Sequence, residues 1–151
     1  MGNALIRSGV QFGECVAILC PDRPEWVSVF FATAKIGGVA LGLNTLLKTD
    51  EYDYIFKDAR VKVLVVHDSL KALVEPIIKK HDTLIKVITV TDNKSIKCTT
   101  FTDWIDGEKS ELDSATTHRE DFCSLHYSSG TTGVPKGVLH MHKDYPLIAQ
   151  L

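Results

Sequence analysis

No stretch of this chain is long and apolar enough to span a bilayer. The longest runs, such as residues 26–34, are broken by Ser28 and Thr33, whereas a membrane-spanning helix needs about 20 mainly apolar residues. An excess of one charge is missing as well: 17 lysines and arginines stand against 19 aspartates and glutamates, for a net charge of −2. Without a basic block or an aromatic–basic stripe, nothing in the sequence points to nucleic acid as a partner. Residues 1–10 carry Arg7 inside an amphipathic pattern, not the charged head and apolar block of a signal peptide. The four cysteines, Cys15, Cys20, Cys98 and Cys123, include no CxxC pair, and are read as reduced thiols in a cytoplasmic protein. Internal repeats and low-complexity tracts are absent too.

A chain of 151 residues suits one domain with a real core. Residues 16–19 form a short apolar run, read as a buried strand. In the segment that follows, Pro24 suits a first helical turn and Gly37-Gly38 a stop, with Trp26, Val29, Phe30 and Thr33 at helical spacing on an inward face. Residues 39–43 read as a second strand. Thr49-Asp50-Glu51 reads as a cap and acidic first turn for a helix through Ala59. VKVLVV, from Val61, is the clearest strand. Ser69 then suits the cap of a helix running towards His81, with Leu70, Leu73, Val74, Ile77 and Ile78 on its apolar side and Pro76 as an internal obstacle. Residues 85–90 form another strand. This alternation predicts a mostly parallel α/β sheet covered on both faces.

Residues 92–121 break the rhythm, being polar and mixed in charge apart from a turn of helix around Phe101, Trp104 and Ile105. They read as a connecting segment between an α/β subdomain, 1–91, and a final part, 122–151. That part predicts a strand over 122–127, a second over 137–142, a helix beginning at Lys143, and YSSGTTGVPKGV (127–138) spanning the loop between the strands. Glycines let backbone N–H groups turn to one point, Ser and Thr hydroxyls add donors, and Lys136 adds positive charge. Such a loop cradles phosphate oxygens. It is not a Walker loop: Pro135 stands where that pattern needs Gly, Gly137 where it needs Ser or Thr, and VLHMH alternates like a strand.

Over residues 127–137 the loop resembles the phosphate-binding signature of the adenylate-forming enzymes, the acyl-CoA synthetase and ligase superfamily. GVQFGECVAIL (9–19) resembles the family's opening strand, with Glu14 where aspartate is more usual. The segment 44–66 resembles the helix–strand unit that follows. NTLL, DEYDY and the HMH of His140 and His142 look most like the benzoate–CoA ligase branch. The resemblance implies a mostly parallel sheet with flanking helices, part of a large N-terminal domain cut at both ends. It implies that a carboxylate attacks the α-phosphorus of ATP, giving an acyl-adenylate and pyrophosphate, and that coenzyme A then displaces AMP. Ser128, Ser129, Gly130, Thr131, Thr132 and Gly133 would hold the ATP phosphates. Lys136 would add charge from the mobile end of the loop, and Pro135 would stiffen it. The acid that the resemblance implies would be benzoate or another aryl carboxylate, with a fatty or short-chain acid as the alternative. The magnesium-holding glutamate and the catalytic residues of the family lie beyond Leu151, so this chain alone is expected to be inactive and prone to self-association.

Other residues are read more plainly. His126, His140 and His142 supply no third ligand of suitable spacing, so no metal site is expected. Asp50, Glu51 and Asp53 read as an acidic helix start, and Trp26 with Phe30 and Phe31 as core rather than as a substrate pocket. Two functions stay open: a segment of a ligase, or a non-catalytic interaction module that retains the loop.

Overall fold

The computed structural model describes residues 1–93, 98–129 and 133–149. Six strands form one sheet: β1 (Cys15–Leu19), β2 (Val39–Gly42), β3 (Val63–His67), β4 (Lys86–Val90), β5 (Phe122–Ser129) and β6 (Pro135–Met141), in the order β4-β3-β1-β2-β5-β6. The first five pair in parallel, and β6 closes the edge antiparallel to β5. The expected sheet, mostly parallel with flanking helices, is therefore present. β1 is central and buried along its whole length, as an apolar run covered on both faces should be.

Side chains alternate across β1, so two cores form. Val16 and Ile18 join Val29 and Phe30 of α2 (Pro24–Lys35), Ala4 and Leu5 of α1 (Gly2–Arg7), and Trp104 of α5 (Phe101–Ile105). Ala17 and Leu19 join Tyr52, Ile55 and Phe56 of α3 (Thr49–Asp58) and Val74 and Ile77 of α4 (Asp68–Ile78). For α2 and α4, the two helices with an expected inward face, the buried residues Val29, Phe30 and Thr33, and Val74 and Ile77, all lie on that face. Pro24 does open α2.

Several boundaries differ from expectation for local reasons. The start of α3 is satisfied by the Glu51 carboxylate, which accepts from the Lys48 N–H at 2.8 Å, while the Thr49 hydroxyl donates to the Leu73 carbonyl instead of capping. At α4 the cap is His67, whose Nδ1 accepts from the Ser69 N–H at 3.3 Å, so Ser69 is inside the helix. Pro76 sits in its last turn and the helix stops at Ile78, short of His81. The strand foreseen from Val61 begins at Val63: the Val61 N–H still donates to the Phe56 carbonyl at the end of α3, and the Lys62 N–H is the first to reach β1, at the Cys15 carbonyl. The final helix, α6, covers Asp144–Ile148.

The largest difference lies at the hydroxyl-rich stretch. Its two ends are not loop. β5 runs on through Ser129 and β6 begins at Pro135, with Ser128 opposite Lys136 and Ser129 opposite Pro135. Proline lacks an N–H, and an edge strand tolerates it at its first residue; β6 is that edge strand. Pro135 and Lys136 thus belong to a strand, which corrects the reading of Lys136 as the mobile end of a loop.

Candidate functional site

Strand order reverses around β1 and β2. The chain leaves β1 towards α2 on one face and leaves β2 towards α3 on the other. Crevices at such carboxyl ends are where open α/β sheets bind ligands. Here an open crevice of about 480 Å³ is lined by Cys20, Asp22, Trp26, Gly42, Asn44, Thr45 and His126 among others. Trp26 stacks on Phe30 with ring centroids 5.3 Å apart, and its indole lies against Gly42, 3.0 Å from where a Cβ would stand. Trp26 is therefore both a flank of the core and a wall of the crevice, which corrects its reading as core alone. Its place in the first turn after β1 was the signal available in the sequence.

β5 runs parallel to β2, with His126 opposite Gly42, so the hydroxyl-rich hairpin leaves the sheet beside this crevice. Alternation along the hairpin puts Ser124, His126 and Ser128 on one face of β5, and register puts His140, Val138 and Lys136 of β6 with them. Ser128 and Lys136 thus share the face of the crevice-lining His126. Both are exposed. Gly133 has φ +81°, the left-handed region that a glycine adopts without strain. Of the expected phosphate-binding residues, Gly130, Thr131 and Thr132 lie outside the described residues, and Ser129 is placed by its backbone alone. The structure brings Ser128 and Lys136 together as a cross-strand pair.

Each face of the hairpin is tied to the rest of the protein. On the crevice face the Ser124 hydroxyl is 3.2 Å from His126 Nε2 and 2.6 Å from the Tyr145 hydroxyl of α6. His126 and His140 meet with ring centroids 5.6 Å apart, and His140 Nδ1 stands 3.6 Å from an Asp144 carboxylate oxygen. Burial, and then the neighbouring His140, hold the His126 pKa below its ordinary value. On the opposite face the Tyr127 hydroxyl donates to Asp58 at 2.5 Å. Burial and then this bond to a carboxylate push the Tyr127 pKa up.

The sequence marks HMH as a branch feature, and otherwise suggests the histidines only as metal ligands to be discounted. Among the described residues no three His, Cys, Asp or Glu side chains gather as a metal-binding group. His142 lies past the end of β6, not on the strand with His140, and its buried Nε2 finds no partner among the described residues. Asp53 accepts from His81 at 2.9 Å. The four cysteines are free thiols, with burial pushing Cys15 up to about 12 and Cys20 up to about 11.

Known proteins share this fold. The chain is 32% identical over 143 residues to the 3-hydroxybenzoate–CoA/4-hydroxybenzoate–CoA ligase of Thauera aromatica, covering 94% of this chain and 27% of that protein. It superposes on the anthranilate CoA ligase AuaEII, solved in complex with anthranoyl-AMP, with a TM-score of 0.95 and 49% identity, over 99% of this chain and 29% of the other. It also superposes on an ATP-bound RpMatB-BxBclM chimera, with a TM-score of 0.84 and 27% identity, over 99% of this chain and 29% of the other. The chain thus spans a little over a quarter of the relatives it matches. The family model described as AMP-binding enzyme matches residues 1–150, and the chain belongs to that family.

Proposed function

We propose that this chain is the phosphate-binding segment of a carboxylate–CoA ligase acting on an aryl acid. The observation that carries the reading is the position of the described ends of YSSGTTGVPKGV, residues 127–129 on β5 and 135–138 on β6, beside the crevice at the carboxyl ends of β1 and β2. The aryl preference is supported by the hydroxybenzoate and anthranilate ligases among its relatives.

A carboxylate is a poor acylating agent because oxide is a poor leaving group. Joining it to AMP removes that obstacle, provided the departing pyrophosphate is held in line and its growing charge is stabilised. On this reading, backbone N–H groups and hydroxyls of Ser128, Ser129, Gly130, Thr131, Thr132 and Gly133 surround the β- and γ-phosphates. Lys136 supplies a cation from a strand, fixed in register opposite Ser128. Magnesium accompanies ATP, and coenzyme A takes the acyl group in the second step. The four free thiols suit the reducing cytoplasm in which we place the protein.

A segment exchange tests this. This chain replaces the matching segment of the anthranilate CoA ligase, and aryl-acid-dependent ATP–pyrophosphate exchange is measured on the folded hybrid. Exchange that is retained, and lost on Lys136→Ala, supports a working phosphate-binding segment. A folded hybrid with no exchange supports instead a module that keeps the loop without its chemistry.

A further inference from the structure

Tyr127 opens the hydroxyl-rich motif, and its side chain lies on the face of the sheet away from Ser128 and Lys136. Its partner in register is Gly137, the residue next to Lys136. A Cβ at Gly137 would stand 3.3 Å from Tyr127 Cζ and 3.0 Å from Leu125 Cδ1. The phenol ring therefore lies across the backbone of β6, and the bare glycine is what lets it do so. From there the hydroxyl reaches Asp58 at 2.5 Å, a contact between residues 69 apart in sequence. Asp58 is the last residue of α3, whose Tyr52, Ile55 and Phe56 are fully buried. A helix locked in the core thus grips both strands of the hairpin at the step below the Ser128–Lys136 pair.

We infer that Asp58 and Tyr127 are positioning residues for phosphate binding: together they form a latch that fixes Ser128 and Lys136 in place. The inference rests on the phosphate-binding reading of the hairpin. β6 needs such a latch, because it is the edge strand and residues 136–139 of it are exposed. An edge strand opens at lower free energy than the strands inside the sheet. A cation on a strand that opens stabilises developing charge poorly, since the gain depends on donors being in place before the charge appears. The hydroxyl-to-carboxylate bond is of the stronger, charge-assisted kind. Neither partner touches the ligand face, so both act through the backbone that carries Ser128 and Lys136.

The test uses Tyr127→Phe, which keeps the ring on Gly137, together with Asp58→Ala and Asp58→Asn, the last retaining an acceptor oxygen. Amide hydrogen exchange is followed at Ser128, Lys136 and Gly137 and, as a control, at Ala17 and Val65. Pyrophosphate affinity is measured alongside by calorimetry. The latch predicts about tenfold faster exchange at the three hairpin amides in Tyr127→Phe and Asp58→Ala, with no change in β1 or β3. It predicts weaker pyrophosphate binding, accompanied by no more than the few-degree fall in Tm that loss of one such bond implies, with partial recovery in Asp58→Asn. Hairpin exchange unaltered in both variants overturns the latch, and affinity unaltered despite faster exchange overturns the positioning role. A wild-type chain that takes no pyrophosphate overturns the phosphate-binding reading itself, and the exchange data still decide whether the latch exists.

Discussion

His126 and His140 face each other across β5 and β6 with ring centroids 5.6 Å apart, one ring half-buried beside the Ser124 hydroxyl and the other beside Asp144. Burial disfavours the charged form of His126, and the neighbouring His140 adds to that effect. The folded pKa of His126 lies below the ordinary 6.5, so the unfolded chain binds the proton first. Stability is therefore fully present above about 6.5 and is lost as pH falls from there through the lowered folded value. Urea midpoints between pH 7.5 and 5 should decline, and His126→Asn should flatten that decline. An identical slope in the variant would show that the histidine pair carries none of it.

Gly137→Ala is expected to cost about 1–3 kcal/mol, the range for overfilling a packed site. The added methyl meets Leu125 at 3.0 Å and the Tyr127 ring at 3.3 Å, and Leu125 is only 8% exposed. Chemical denaturation reads the loss. A neutral substitution would mean that the ring does not lie across β6.

Ile18→Ala should destabilise by about 2–5 kcal/mol, because Ile18 is fully buried in β1 at the centre of the sheet. Leu139→Ala should change stability by under about 1 kcal/mol, since Leu139 is 46% exposed on the edge strand. Comparable losses for the two would contradict the assignment of core and edge.

Thiol labelling should follow burial. Cys15 is buried with its pKa pushed up to about 12, so almost none of it is thiolate at neutral pH. Cys98 is only half-buried and should be the first to react with an alkylating reagent, as peptide mapping after brief labelling would show. Early modification of Cys15 would mean that β1 is open to solvent.

Much of this was legible in local pattern. Trp26, Val29, Phe30 and Thr33 recur with the period of a helix, while the run at 16–19 and VKVLVV are marked as strands by shortness and β-branched content. The hydroxyl-rich motif was legible because its residue types have one economical use together. Helix caps were read less well: Ser69 and Thr49 are good caps by type, but His67 and Glu51 filled those roles in place. The ends of β5 and β6 were hidden because Ser128, Ser129 and Pro135 look like turn residues, and only cross-strand pairing makes them strand. Nothing local announces that Tyr127 reaches Asp58 or that Ser124 meets Tyr145, since those contacts depend on how α3 and α6 lie against the sheet.

The most direct test of the account is a calorimetric titration of this chain with Mg-ATP and with pyrophosphate, beside a variant in which Thr131, Thr132 and Lys136 are all alanine. The account predicts binding of both ligands by the wild-type chain, falling off as salt rises, and its loss in the variant. Equal binding by the two chains, or none by the wild type, would contradict the assignment of YSSGTTGVPKGV as a phosphate cradle.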